Sequence, residues 1–223
     1  MVNQNSSDLS PQFLKAQRYE RAVSACAELF LIRGIDNVKM TDIADISGVG
    51  VATLYRNFGT KTGIAIEAMT FLWNDLNDLF SGIFDSEPFI SQTGIKQLSD
   101  LLGMFRVMYT AHKSFLRLLG EFDRLVLHEN IPKEELVEYE KSIINFFPVF
   151  EKSYKTGVAD GTVRSDIDPG LFYLTYAHAL MELCKKFISG EILPNDDFTH
   201  AENEIQLLID GGIRYLSVDS QGT

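Results

Sequence analysis

At 223 residues and 25.1 kDa, the chain has room for one large domain or for a small domain joined to a larger one. Apolar residues make up 45% and aromatic residues 11%, which excludes a disordered chain. No apolar run approaches the roughly 20 residues that span a bilayer, and the N-terminus lacks the basic, apolar, small-residue order of a secretion signal. Both features predict a cytoplasmic protein without a membrane partner. A net charge of −11 argues against nucleic acid as a partner, because DNA binding depends on neutralising phosphates.

The polar opening MVNQNSSDLS, residues 1–10, has no apolar pattern and is expected to be a disordered tail. From Phe13 to Arg33, the residues Tyr19, Ala22, Val23, Cys26, Leu29 and Phe30 recur at three- and four-residue steps, predicting a helix that Gly34 ends. A second helix is expected from about Thr41 to Ser47, with Ile43, Ala44 and Ile46 inward. Gly48 follows, where a sharp turn suits a residue free to take positive φ. Val51 to Phe58 is long enough for two helical turns, and Gly59 to Gly63 breaks the chain again. Ile64, Ala65, Ala68, Phe71, Leu72, Leu76 and Leu79 then mark a long fourth helix.

Beyond Pro88 the pattern stays helical over residues 90–110, 112–127, 133–155, 169–189 and 198–216. The breaks HENIP, GVADGTVRSDIDPG and GEILPNDD are rich in turn-forming residues. Pro148 is expected to kink the helix over 133–155, since its ring removes a donor and crowds the preceding turn. Cys26 and Cys184 fall in apolar helical patterns without a CxxC context and read as buried thiols.

Three helices within about fifty residues, the last two joined by a tight glycine turn, fit a helix-turn-helix, whose second helix enters the DNA major groove. A small Ala44 lets the pair cross closely while Ile43, Val49 and Leu54 fill the space beneath. Val51, Ala52, Thr53, Tyr55, Arg56 and Asn57 are left outward or at the rim. Val51 and Ala52 can touch a thymine methyl, Thr53 and Asn57 can bond a base edge or a phosphate, and Arg56 can take a phosphate or a guanine. Lys61 opens the next helix, where its cation and the backbone N–H groups attract phosphate. Lys39, Thr41 and Gly50 complete the candidate DNA-binding set. The charge is uneven in the matching sense: between Pro11 and Thr62, Lys15, Arg18, Arg21, Arg33, Lys39, Arg56 and Lys61 outnumber Glu20, Glu28, Asp36, Asp42 and Asp45. A small helical bundle with glycine turns is the competing account of the same pattern.

The stretch LFLIRGIDNVKMTDIADISGVGVATLYRNFGTKTGIAIEAM, Leu29 to Met69, resembles the N-terminal DNA-binding domain of the TetR family of bacterial transcriptional regulators. The resemblance rests on Leu29 and Phe30, Gly34, Asp42-Ile43-Ala44, Ser47-Gly48-Val49, Thr53-Leu54-Tyr55 with Phe58, and Lys61. It implies an all-α fold of about nine helices. Residues 11–62 would form the helix-turn-helix domain, 63–217 an effector-binding and dimerisation domain, and 218–223 a tail. Val38 and Lys39 stand where the family often has Thr or Ser, leaving Asp36 or Asn37 to cap the second helix. Gly50 replaces the usual Ser, Val51 an often polar residue, and Asp42 and Asp45 add negative charge. These departures predict fewer phosphate contacts and a shallow salt dependence per subunit.

The resemblance further implies a homodimer on a palindromic double-stranded operator, a repressor by the family's commoner habit, released by a small effector. The last two helices carry the expected dimer stripes, Leu171, Leu174, His178 and Met181 on one and Ile205, Leu208, Ile209 and Gly212 on the other. The same stripes would also suit intramolecular core. The aromatic middle supplies the expected pocket, Phe105, Tyr109, Phe122, Phe147, Phe150, Tyr154 and Tyr176, suited to a lipophilic or aromatic ligand and equally to plain packing. A regulator of the same fold answering to a protein partner is an alternative. An enzyme is disfavoured: His112, His128, His178 and His200 have no HExxH spacing, His178 with Glu182 is too few ligands for a metal, and no GxGxxG, GxxxxGK[ST] or GxSxG occurs. No catalytic residue, metal or cofactor is therefore expected.

Overall fold

The computed structural model describes residues 10–190 and 193–218. Among them the regular structure is all-α, with eleven α-helices, one short 3-10 turn and a single antiparallel bridge between Val163 and Ser217. Two compact units divide the chain: one runs through Trp73 and takes back Glu121–Ser142, and the other comprises Asn74–Gly120 and the chain from Ile143 onward.

The first unit opens with α1, Pro11–Arg33. Proline at the first helical position has no N–H to leave unsatisfied, and the Ser10 hydroxyl accepts the Phe13 N–H at 3.2 Å. Ala22, Cys26 and Phe30, one helical step apart, are fully buried. Helices α2, Met40–Ser47, and α3, Val51–Phe58, follow, then α4, Lys61–Phe84. The core of this unit is built on Phe30, Ile43, Leu54, Ile64 and Met69, all fully buried, each worth about 1.5–3 kcal/mol over an exposed side chain. The end of α7, Lys113–His128, with the 3-10 turn Lys133–Leu136 and α8, Val137–Ser142, completes it. There Phe122 packs on Tyr139 with ring centroids 4.9 Å apart, and the Trp73 indole N–H donates to the Tyr139 hydroxyl at 3.2 Å.

In the second unit α6, Gly94–Ala111, packs against α9, Phe147–Ala159, α10, Pro169–Ser189, and α11, Ala201–Leu216. The start of α6 lies on the end of α9 so closely that a Cβ on Gly94 would overlap the Gly157 backbone. The free N–H groups there find partners in the loop after α9: Gly94 donates to Asp160 Oδ2 at 2.8 Å and Ile95 to Thr162 Oγ1 at 3.2 Å. Phe146 packs edge to face on Phe80 and Phe84, Phe89 lies tilted against Phe84, and Phe150, Phe172 and Tyr176 stack nearly parallel.

The all-α expectation holds, with eleven α-helices rather than about nine among the described residues. One addition is α5, Glu87–Ile90, begun by the Ser-Glu-Pro turn at Ser86. The other arises because the helix expected over 133–155 is broken at 143–146, so Pro148 does not kink a helix but sits in the first turn of α9, where proline is tolerated. The chain position expected to end the first domain, Thr62, lies inside α4. Residues 1–9 and 219–223 of the two expected tails are outside the described residues, whereas Ser10 caps α1 and the Val218 N–H bonds the Thr162 carbonyl at 3.2 Å.

Candidate nucleic-acid interface

The turn between α2 and α3 is fixed by three local contacts. Gly48 takes a left-handed φ of 67° and its N–H returns to the Ala44 carbonyl at 2.9 Å. Ser47, which is buried, donates its hydroxyl to the Ile43 carbonyl at 2.6 Å and accepts the Val49 N–H at 3.2 Å. Leu54 is then driven fully inward from the middle of α3. Ile46, expected inside, is instead 60% exposed, because the hydroxyl of its neighbour Ser47 has the inward place.

Capping of α2 also differs from expectation. The N-cap is Lys39, whose N–H donates to the Asp42 carboxylate at 2.8 Å, so the aspartate spends its charge on the helix start. Asp36 and Asn37 do not cap it; the Asn37 amide donates to the Arg33 carbonyl at 2.9 Å and closes the end of α1. A longer-range contact supports the same loop. Glu121 of α7 accepts the Ile35 N–H at 2.8 Å, and its carboxylate lies against Gly34, which has a φ of 78°.

With the turn so set, α3 presents Ala52, Tyr55 and Arg56, spaced three and four apart, on its exposed side. Tyr55 is half-exposed, and the Arg56 guanidinium lies 3.4 Å from the Thr53 hydroxyl. Val51, Thr53 and Asn57 sit at the rim, and Lys39, Thr41 and Gly50 are exposed. At the far end, Gly59 has a φ of 70°, and Gly63 is needed because a Cβ there would overlap the Phe58 carbonyl. Lys61 is half-buried, its ammonium 3.4 Å from the Asp36 carbonyl. Such a surface offers apolar contact through Ala52, a neutral hydroxyl at Tyr55 and a fork of donors at Arg56 to a groove of matching width.

The aromatic residues expected to share one pocket are spread more widely. Phe122 belongs to the first unit. Tyr109 packs its ring against Phe187, Phe147 against Tyr173, and Phe150 against Phe172 and Tyr173. The Tyr154 hydroxyl is 3.0 Å from the carbonyls of both Arg164 and Ile167, and the Phe105 carbonyl accepts the Cys184 thiol. Of the seven, Tyr176 lines a cleft of about 460 Å³ between α10 and α11, together with Ile167, Asp168, Leu171, Phe172, Thr175, Gly211 and Tyr215. Burial pushes the Cys184 thiol up to about 12 and raises Cys26 as well, in keeping with buried thiols.

The stripes expected on α10 and α11 also divide. Leu171, Leu174 and His178 are exposed and Met181 and Leu208 half-buried, whereas Ile205 and Ile209 are core and Gly212 lies under Tyr176, where a Cβ would come within 2.5 Å of its ring. The exposed apolar residues of α11 are Leu207 and Tyr215, flanking Gly211. Their i, i+4, i+8 spacing was the available signal for this second face.

Two short helices locked about a left-handed glycine, the second one offering a polar exposed face, define a helix-turn-helix DNA-binding protein. Residues 22–68 match the family model described as bacterial regulatory proteins, tetR family. Over that stretch the chain is similar to the DNA-binding domain of the TetR family. It is 26% identical over 162 residues to the HTH-type transcriptional repressor KstR2 of Mycolicibacterium smegmatis, covering 71% of this chain and 73% of that one. To the repressor of the same name from Rhodococcus jostii it is 25% identical over 201 residues, covering 88% and 92%. The fold is shared with a transcriptional regulator from Saccharomonospora viridis solved in complex with choline, with a TM-score of 0.63, 18% identity and coverage of 87% and 96%. Among the described residues no helix is long and apolar enough to cross a membrane, and no cluster of three or more His, Cys, Asp or Glu could hold a metal ion.

Proposed function

We propose that the protein is a transcriptional repressor that binds a palindromic operator as a homodimer and leaves it when a small lipophilic or aromatic effector binds the second unit. The observation that carries this is the division of α3 into a buried Leu54 and an exposed Ala52, Tyr55 and Arg56. One such helix makes too few contacts for tight specific binding, and two half-sites about one helical turn apart remedy that. The apolar face of Leu171, Leu174, Leu207 and Tyr215 supports pairing with a second copy. The repressors of which the chain is a relative support the sign of regulation. Leu171, Phe172, Tyr176 and Tyr215 line the cleft between α10 and α11 in the second unit, a lining that favours an apolar or aromatic ligand. The protein acts by binding and not by catalysis: an effector that prefers the DNA-incompetent arrangement lowers operator affinity by the factor by which DNA lowers its own.

The test is fluorescence anisotropy with the DNA upstream of the protein's own gene and with random DNA, using wild type, Tyr55→Ala and Arg56→Ala. Saturable binding, tighter than to random DNA and lost in both variants, is expected. Equal affinity for every duplex, or wild-type binding by both variants, would overturn the assignment of α3 as the reader of sequence.

A further inference from the structure

The core-facing side of α1 continues past the point where the core ends. Phe30, Cys26 and Ala22 are buried, and the same face, followed upstream in steps of three and four, passes through Tyr19 to Lys15 and Gln12. Tyr19 marks the limit. Its ring rests 4.8 Å from that of Phe58 at the C-terminal end of α3. Upstream of it, every residue from Pro11 to Arg18 is exposed. A face destined for a protein partner would stay apolar there; this one turns basic, with Lys15 in line and Arg18 beside it. No carboxylate among the described residues forms a salt bridge with Lys15, Arg18 or Arg21. In a chain of net charge −11, unpaired cations beside the DNA-reading helix have an evident complement in phosphate.

We propose that the projecting first turns of α1 form a second DNA contact, in which Lys15 and Arg18 hold backbone phosphates flanking the base pairs read by α3. The inference rests on the DNA-binding role proposed above. Lys15 lies four residues, about 6 Å of helix rise, beyond the Tyr19–Phe58 contact. That offset sets its ammonium outside the footprint of α3 and along the same duplex. Such contacts position the head and add affinity without reading sequence.

The test uses the full-length chain and the duplex it selects from a random-sequence library, prepared both trimmed to the selected bases and extended by about half a helical turn, roughly 5 base pairs, on each side. Wild type should bind the extended duplex more tightly than the trimmed one. The double variant Lys15→Ala/Arg18→Ala should lose that difference. Its plot of log affinity against log salt should be shallower by about two per subunit, since each phosphate contact contributes about 0.9. Arg21→Ala, on the opposite side of α1 from Tyr19, should behave as wild type, and all three chains should share one melting temperature. A double variant that keeps the wild-type slope and length dependence overturns the inference while leaving α3 as the reader. A wild-type chain that selects no duplex overturns the DNA-binding role and this contact with it.

Discussion

Gly34 combines two constraints that no other residue meets. Its φ of 78° suits glycine alone, and a Cβ would come within 2.8 Å of the Glu121 carboxylate. Gly34→Ala is therefore expected to cost about 1–2 kcal/mol from backbone strain, visible as a lower urea midpoint, with a further loss as Glu121 yields its bond to Ile35. A second prediction concerns acid. The Thr162 hydroxyl and the Gly94 N–H hold the Asp160 carboxyl below the usual range, and Asp166, beside Arg164, and Asp197, beside Thr199, are shifted the same way. Groups lowered on folding contribute stability that is fully present above the unfolded value, near pH 4, and is lost as pH falls through the lower folded values. Urea midpoints should accordingly drop below about pH 4, and Asp160→Asn should flatten part of that drop. An unchanged profile in Asp160→Asn would mean that the cap on α6 does not form in solution.

At the scale of the element, α3 separates stability from recognition. Leu54→Ala should cost about 2–5 kcal/mol, because it empties a fully buried site. Tyr55→Ala should change the melting midpoint little, since the side chain is half-exposed, and yet abolish specific DNA binding. Both effects can be read from thermal melts run beside DNA titrations. The face of α3 was legible in the sequence because two-turn helices between glycines leave one arrangement that buries Leu54. The neighbouring α2 was less so: Ile46 looks like core, but Ser47 is drawn inside by two backbone bonds that hydropathy does not register. Pro148 misled for a related reason, since proline stops a helix and starts one equally well. On α11 two apolar stripes compete, and only packing against Tyr176 reveals that Gly212 is on the core side and Leu207 outside.

For the whole molecule, the proposed pairing with a second copy is tested at the exposed leucines of α10 and α11. Leu174→Glu and Leu207→Glu each place a charge on an apolar face and should turn the dimer to monomer by sedimentation velocity, with operator affinity falling alongside. Dimers in both variants would put the interface elsewhere. The acidic surplus outside the head discourages DNA from settling on other surfaces. The division of the chain has a bearing on how it is made. The unit that holds α2 and α3 also needs Phe122 and Tyr139, which lie beyond a long excursion of the chain into the other unit. On a ribosome adding about 5–20 residues per second, roughly 3 to 14 s pass between the emergence of Trp73 and that of Ser142. During that interval the nascent head has its recognition helix but lacks a wall of its core, and Trp73 has no Tyr139 to receive its indole proton. Newly made chains should thus become able to grip DNA only once the first part of the second unit, Asn74–Gly120, has also left the exit tunnel.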